Sequence, residues 1–535
     1  MVRVHPPRAL FVALLLLGCQ SGSKPAADQA PKEKEAPAAA APKLVDLDLV
    51  IANGRVMDPE TKLDAVRNVG VRDGKIVVIT ERSLEGARTI DATGHVVAPG
   101  FIDFHTHGQD PYSNKVGLRD GVTTPLELEA GAYPVEAYYD AREGKNQANY
   151  GVSSGHVVAR MDKLDGVDSP GGLPLYTDTV NRSAIDGSKW SKGRTDPLSP
   201  ERDTILEAVE AGLKQGGLGI GFPVGYYTAV SSDEIVEVAG LAAKYNTFIL
   251  THVRYLSQIP PSAYLGIEEL LASAAVHDVP LIVQHLPSNC LGLTPQCLDL
   301  LKDAREKGMK VTGEFYPYER GSSIIGADYL APGFQEVMGI DYSDIKMLAT
   351  GETLNKESYT KYRSENPGAM MVMHHIKNED MMAAFKDPTA FVGSDAVMYV
   401  DEDGNIPPWD APYEVGKGHP RGAGAHAKVL RLARETGEIS LMQAVAKLAY
   451  LQADFIDEMV PAMRQRGRIQ EGMIADITVF NPDTVTDNST WDAGKNATPS
   501  TGIPYVIVNG TVVVDDSKVL EGVYPGQPIR NPIIE

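Results

Sequence analysis

The sequence predicts an α/β fold, a (β/α)8 barrel of the TIM type inserted into a small β-sandwich subdomain that both chain ends build. Three observations carry this prediction. The interior alternates apolar strand-like runs with amphipathic stretches, eight such runs can be counted, and β-branched runs punctuated by Asn-Gly and Asp-Gly turns stand on either side of that body. At 535 residues the chain exceeds one ordinary core. Its 43% hydrophobic and 23% charged composition excludes a polytopic membrane protein and a mostly disordered chain. With 50 Lys+Arg against 71 Asp+Glu the net charge is −21, which repels a phosphate backbone, so no nucleic-acid partner is expected.

The first element is an export segment. Arg3 and Arg8 flank the start of a short apolar run, Ala9 to Leu17, too short to span a bilayer. Leu16-Leu17-Gly18-Cys19 resembles a bacterial lipobox, which makes residues 1–19 a lipoprotein signal and Cys19 the acylated residue. No Asp follows at the second position after Cys19, so the expected location is the outer membrane facing the periplasm, with membrane attachment through the lipid anchor only. Residues 20–43, rich in Ala, Pro, Lys and Glu, read as a disordered tether. Cys290 and Cys297, seven apart, form either a small disulfide loop or two free thiols.

Residues 44–98 read as hairpins of the first part of the β-subdomain, and residues 466–535 as its second part. Between them, residues 99–465 hold the eight runs: Val97–Asp103, Thr123–Glu129, Val152–Val158, Gly217–Phe222, Phe248–Thr251, Leu281–Gln284, Lys310–Phe315 and Ala390–Ser394. Amphipathic stretches such as Ser232–Tyr245 and Gly266–His277 separate several of them. Eight strands favour a closed barrel over an open sheet and put catalytic groups where strands end. The interval of about 316–389 is too long for one helix and predicts an insertion with short elements of its own.

The chemistry gathers at those strand ends. His105 and His107, two apart, project from one face of the first run into the barrel mouth. His252 and His285 end two later runs, and Asp395 ends the eighth. Four histidines and an aspartate supply ligands for one or two zinc-like ions and leave a group to move a proton. His156 ends the third run and is either a pocket-lining or a structural histidine, whereas His374, His375 and His426 read as insertion or surface residues.

His105-Thr106-His107, Gly121-Val122-Thr123-Thr124, Thr251-His252-Val253-Arg254, Gln284-His285, Gly393-Ser394-Asp395 and Gly472-Met473-Ile474-Ala475-Asp476 together resemble the amidohydrolase superfamily. Gly217-Leu218-Gly219-Ile220-Gly221, Tyr316-Pro317-Tyr318 and His419-Pro420-Arg421 are similar to its D-aminoacylase and N-acyl-D-glutamate deacylase branch. The resemblance implies hydrolysis of an amide by a divalent metal, usually zinc. It implies His105 and His107 on one metal position, His252 and His285 on the other, and Asp395 as general base and then acid. It also places the substrate's free carboxylate near Tyr316, Tyr318 and Arg421. Arg254, two after a ligand histidine, is either a further candidate cation for the substrate or a structural partner of a barrel carboxylate.

The sequence departs from that branch in two places. No cysteine follows Gly121-Val122-Thr123-Thr124, and no carboxylated lysine is apparent; instead Pro125-Leu126-Glu127-Leu128-Glu129 puts two carboxylates on one face by alternation. Glu129, nearer the strand end, is the expected ligand, with Glu127 one layer deeper in support, unless this face lies outside the barrel. A carboxylate in place of thiolate tolerates manganese or cobalt as well as zinc. Nor does Leu286-Pro287-Ser288 contain the lysine expected after the histidine.

The expected activity is hydrolysis of small-molecule N-acyl-D-amino acids. The alternatives are cyclic-amide or dipeptide hydrolysis on the same fold, and a binding lipoprotein that holds metal without catalysis. The oligomeric state is left open.

Overall fold

A computed structural model describes residues 46–173 and 188–534. The export signal, Cys19 and the tether lie outside the described residues. Among the described residues no helix is long and apolar enough to cross a membrane.

Eight strands run parallel in one sheet, and we number them β1 to β8 in chain order. They are β1 (Phe101–Asp103), β2 (Val122–Ala132), β3 (Gly151–Gly155), β4 (Ile220–Gly221), β5 (Ile249–Thr251), β6 (Leu281–Val283), β7 (Val311–Phe315) and β8 (Phe391–Val392). Each pairs with the next in sequence, and helices cover the outside as a right-handed crossover demands. The seam between β8 and β1 closes just past the strand ends: Asp395 N donates to the His105 carbonyl at 2.7 Å and His107 N to the Ala396 carbonyl at 2.7 Å. Closure therefore uses the backbone of the very residues that carry the chemistry.

The chain ends meet in a separate nine-stranded sheet. Leu47–Asp58 pairs antiparallel with Leu63–Arg72 and parallel with Val96–Pro99, and Val96–Pro99 pairs antiparallel with Ile477–Phe480 from the far end. The alternating β-branched residues bury one apolar face, with Ile51, Val69 and Ile90 against Ile477, Val479 and Ile507.

Two predicted runs need correction. Val97–Asp103 is two strands: Val96–Pro99 belongs to the terminal sheet and Phe101–Asp103 opens the barrel. Gly100 is the joint, where any Cβ would lie 2.3 Å from Thr123 Oγ1. Val152–Val158 ends as a strand at Gly155, and His156 begins the helix His156–Asp165.

Between β7 and β8 lies the expected insertion. Arg320–Ile324, Met370–His374 and Ile345–Met347 form a three-stranded antiparallel sheet. Its apolar side chains, among them Phe334, Met338, Tyr359 and Met371, pack with Leu256 and Leu291 of the barrel loops, which seats the insertion over the β5 and β6 ends. Cys290 and Cys297, in that same region, are joined by a disulfide.

Candidate metal centre

Asp103, the last residue of β1, accepts hydrogen bonds from His105 N and Ser394 N, each at 3.0 Å, and so fixes the turn that carries the two histidines. Their Nδ1 atoms are held from behind, His105 by Glu314 Oε1 at 2.7 Å and His107 by Glu127 Oε2 at 2.6 Å. A carboxylate accepts, so each Nδ1 carries a proton and each Nε2 turns inward towards Glu129.

Glu129 stands at the focus of these nitrogens. Its Oε2 lies 3.2 Å from both His105 Nε2 and His107 Nε2, and its Oε1 lies 3.3 Å from His252 Nδ1 and 3.4 Å from His285 Nε2. Asp395 Oδ1 lies 3.5 Å from the Nε2 of both His105 and His107. The donor atoms form three overlapping sets, His105 with His107 and Glu129, Glu129 with His252 and His285, and His105 with His285 and Asp395. His285 and Asp395 both have positive φ, 29° and 51°, and a conformation of that kind costs about 1–3 kcal/mol. The backbone accepts that cost where it turns each side chain from a strand end into the mouth.

Electrostatics reinforce the geometry. Burial by itself raises the Glu129 carboxyl, yet the surrounding imidazoles, His105 first, hold it well below its ordinary value. Burial disfavours charge on His105, but Glu314, Glu129 and Asp395 raise it well above the usual imidazole range. Burial likewise raises Asp395, and Arg421 and His105 overcome this to hold it ionised. Burial lowers His252, as does neighbouring His285.

This donor set fits divalent metal. His105 Nε2 and both ring nitrogens of His252 are buried without a hydrogen bond, and buried polar atoms of that kind are costly unless a ligand meets them. Imidazoles with carboxylates suit zinc, manganese or cobalt, and the two sides of Glu129 offer two positions.

Beside the cluster, Arg421 begins the helix Arg421–Thr436, is fully buried, and places Nη2 2.9 Å from Asp395 Oδ1. Its guanidinium covers the Tyr316 ring at 4.6 Å. None of its three nitrogens makes a hydrogen bond of good geometry among the described residues, and neither does the Tyr316 hydroxyl. Arg421 and Tyr316 thus bring buried donors together next to the candidate metal ligands.

Other expectations are corrected. Arg254 is spent on structure: it forks onto Glu269 and donates to the carbonyls of Thr228 and Val230 at 3.1 and 2.8 Å. Tyr318 turns to the helix Arg421–Thr436, its ring under Lys428 Nζ at 3.8 Å and its hydroxyl against Gly424. His156 does not line the mouth; it is buried between Tyr227, at 3.0 Å from Nδ1, and Glu234, at 3.1 Å from Nε2. His426 is no surface residue, being buried against Asp120 Oδ2 at 3.0 Å. His374 is exposed in the insertion, but its neighbour His375 points inward. Glu314 escaped the sequence reading; its one signal is a carboxylate inside the otherwise uncharged Val311–Phe315 run.

No family model matches the chain. An N-acyl-D-glutamate deacylase of Alcaligenes xylosoxydans xylosoxydans is 28% identical over 494 residues, spanning 87% of this chain and 93% of its own. A D-aminoacylase of the same organism is 26% identical over 510 residues, spanning 87% of this chain and 94% of its own. A solved N-acyl-D-glutamate deacylase from Bordetella bronchiseptica, complexed with zinc and a phosphonate inhibitor, superposes with a TM-score of 0.70 at 24% identity, covering 91% of this chain and all of that one. A D-aminoacylase studied for its binuclear metal centre superposes equally well, TM-score 0.70 at 21% identity over 91% of this chain and 100% of its own. The barrel with its terminal sheet is thus the fold of these solved deacylases.

Proposed function

We propose that this protein hydrolyses the amide bond of N-acyl-D-amino acids. The observation that carries the reading is Glu129, each of whose oxygens faces a pair of histidines, with the ionised Asp395 and the buried donors of Arg421 and Tyr316 alongside. His105, His107, Glu129, His252 and His285 would hold one or two ions, of zinc or else manganese or cobalt. A divalent ion in such a site makes water nucleophilic near neutral pH and polarises a carbonyl.

The chain's own groups do the rest. Asp395, kept ionised beside Arg421, accepts the proton of the attacking water and returns it to the departing nitrogen, because an amine is too basic to leave unprotonated. Arg421 grips the free carboxylate two-pronged, and Tyr316 donates to it from the side. A cavity of about 430 Å³ opens beyond His252, walled by Leu256, Tyr329, Phe334 and Val337, and gives the hydrocarbon part of the substrate an apolar seat.

Outside the described residues, we propose that Cys19 is acylated and tethers the enzyme to the outer membrane through residues 20–43. Loss of the membrane fraction in Cys19→Ser would support it, and unchanged fractionation would refute it. The activity itself is tested by amine release from matched N-acetyl-D- and N-acetyl-L-amino acids with added zinc. D-selective release that disappears in chelator and in Asp395→Asn is the expected result. Release from cyclic amides or dipeptides instead would move the protein to another branch, and metal binding with no hydrolysis of any amide would make it a binding lipoprotein.

A further inference from the structure

His375 closes the insertion strand Met370–His374 and turns its ring inward, 5% exposed, while His374 beside it faces solvent on Glu319. Its Nδ1 lies 3.1 Å from the Met373 carbonyl oxygen. A carbonyl only accepts, so Nδ1 carries the proton, and burial pushes this imidazole down to about 4, which keeps the ring neutral. Nε2 therefore presents a bare lone pair. It lies 2.8 Å from Ser288 Oγ, so the serine must donate its single proton to His375.

The consequence falls on the site. Ser288 sits three residues past His285, in the short helix Leu286–Cys290, and is buried beside the Tyr316 hydroxyl. Burial raises the Tyr316 hydroxyl, which keeps its proton. Tyr316 and His375 also meet on one residue: a Cβ on Gly321 would lie 2.7 Å from His375 Cε1 and 3.1 Å from the Tyr316 hydroxyl. With its proton committed to His375, Ser288 shows the site only lone pairs. Its neighbour Arg421 shows only donors, and Tyr316 adds a hydroxyl proton. A carboxylate matches the donors, and the group two bonds away from it that matches an acceptor is the N–H of a secondary amide.

We infer that His375 is a positioning residue that makes Ser288 an obligate acceptor for the substrate's amide N–H, so that the insertion sets selectivity for N-acyl over O-acyl substrates. This rests on the deacylase reading. An ester oxygen at that position would face the serine lone pairs unpaired, and sites built around a buried hydrogen bond reject analogues that cannot make it.

The test compares kcat/KM for N-acetyl-D-alanine and O-acetyl-D-lactate in the full chain loaded with zinc. In His375→Ala the freed hydroxyl rotates and donates to the ester oxygen, so the amide-to-ester ratio should fall about tenfold or more relative to wild type. His375→Gln, whose Oε1 can accept from Ser288, should restore most of the ratio, and Ser288→Ala combined with His375→Ala should do no more than Ser288→Ala alone. An unchanged ratio in His375→Ala, or additive effects in the double variant, would overturn the proposal and leave the deacylase reading standing. A wild-type protein inactive on every N-acyl amino acid would remove that reading and this proposal with it. Independently of turnover, the side-chain ¹⁵N resonances of His375, identified by their loss in His375→Gln, should report the Nδ1–H tautomer and shift in Ser288→Ala. An Nε2–H tautomer would overturn the assignment.

Discussion

Arg421 owes its reach to its place in the chain. As the first residue of its helix it has a backbone N–H that needs no helical partner and donates instead to His419 Nδ1 at 3.0 Å, which leaves the guanidinium free to lie between Tyr316 and Asp395. Arg421→Lys keeps the charge and loses the planar fork, so steady-state kinetics on an N-acyl-D-amino acid should show KM raised about tenfold or more, with metal content unchanged. A KM within twofold of wild type would mean the carboxylate binds elsewhere. Glu127 acts on the metal centre through His107, whose Nδ1 it holds. Glu127→Gln should weaken zinc affinity about 10- to 100-fold in a chelator competition while leaving the fold intact. Strand alternation made Glu127 and Glu129 legible together, because two carboxylates two apart on an apolar strand must share a face. The sequence could not choose between substrate and ion pair for Arg254, because its partner Glu269 lies in the next helix, and it left Glu314 without a signal of its role, because its partner His105 is 209 residues distant. Neither separation leaves a local pattern.

At the level of elements, the eight apolar runs were legible because buried parallel strands are short and apolar on both faces. Their ends were not. Val97 to Asp103 shows no break in hydrophobicity, yet the chain changes sheets at Gly100, where backbone must pass against Thr123. His156 sits where the pattern alone reads a strand end, but Gly155 ends the strand and the helix His156–Asp165 carries the ring into a buried ion network. In that network Glu234, on the helix Ser232–Lys244, meets His156, Arg160 and Thr195. Burial alone would raise its carboxyl; these partners, His156 foremost, draw it down to about 2. A folded pKa below the unfolded value of about 4.5 contributes about 3 kcal/mol that is fully present above pH 4.5 and fades as pH falls towards 2. Denaturant midpoints should drop across that window in wild type. Glu234→Gln, which strands buried Arg160, should cost about 3–5 kcal/mol at neutral pH and flatten the acid dependence. A midpoint in Glu234→Gln equal to wild type would show the network to be neutral.

Across the whole molecule, the chain ends and the site depend on one another. Asp476, from the second half of the terminal sheet, is buried and accepts from Asn509 N at 2.7 Å, Asn149 Nδ2 at 2.8 Å and Arg466 Nε at 3.1 Å, and Asn149 leads directly into β3. The sheet thus braces the base of the barrel whose opposite ends carry the ligands. That division of labour was legible from turn chemistry at both ends of the body and ligand residue types between them. The docking of the insertion on Ser288 was not, since a contact 87 residues apart in sequence depends on how the inserted sheet seats itself. Everything functional converges on Glu129 as the carboxylate between two pairs of histidines. The most direct test is the metal content of purified wild-type protein and of Glu129→Gln after saturation with zinc and removal of the free ion. Two zinc ions per chain in wild type, falling to one or none in Glu129→Gln with deacylation lost, is the expected result. The same stoichiometry and activity in both proteins would contradict a bridging Glu129.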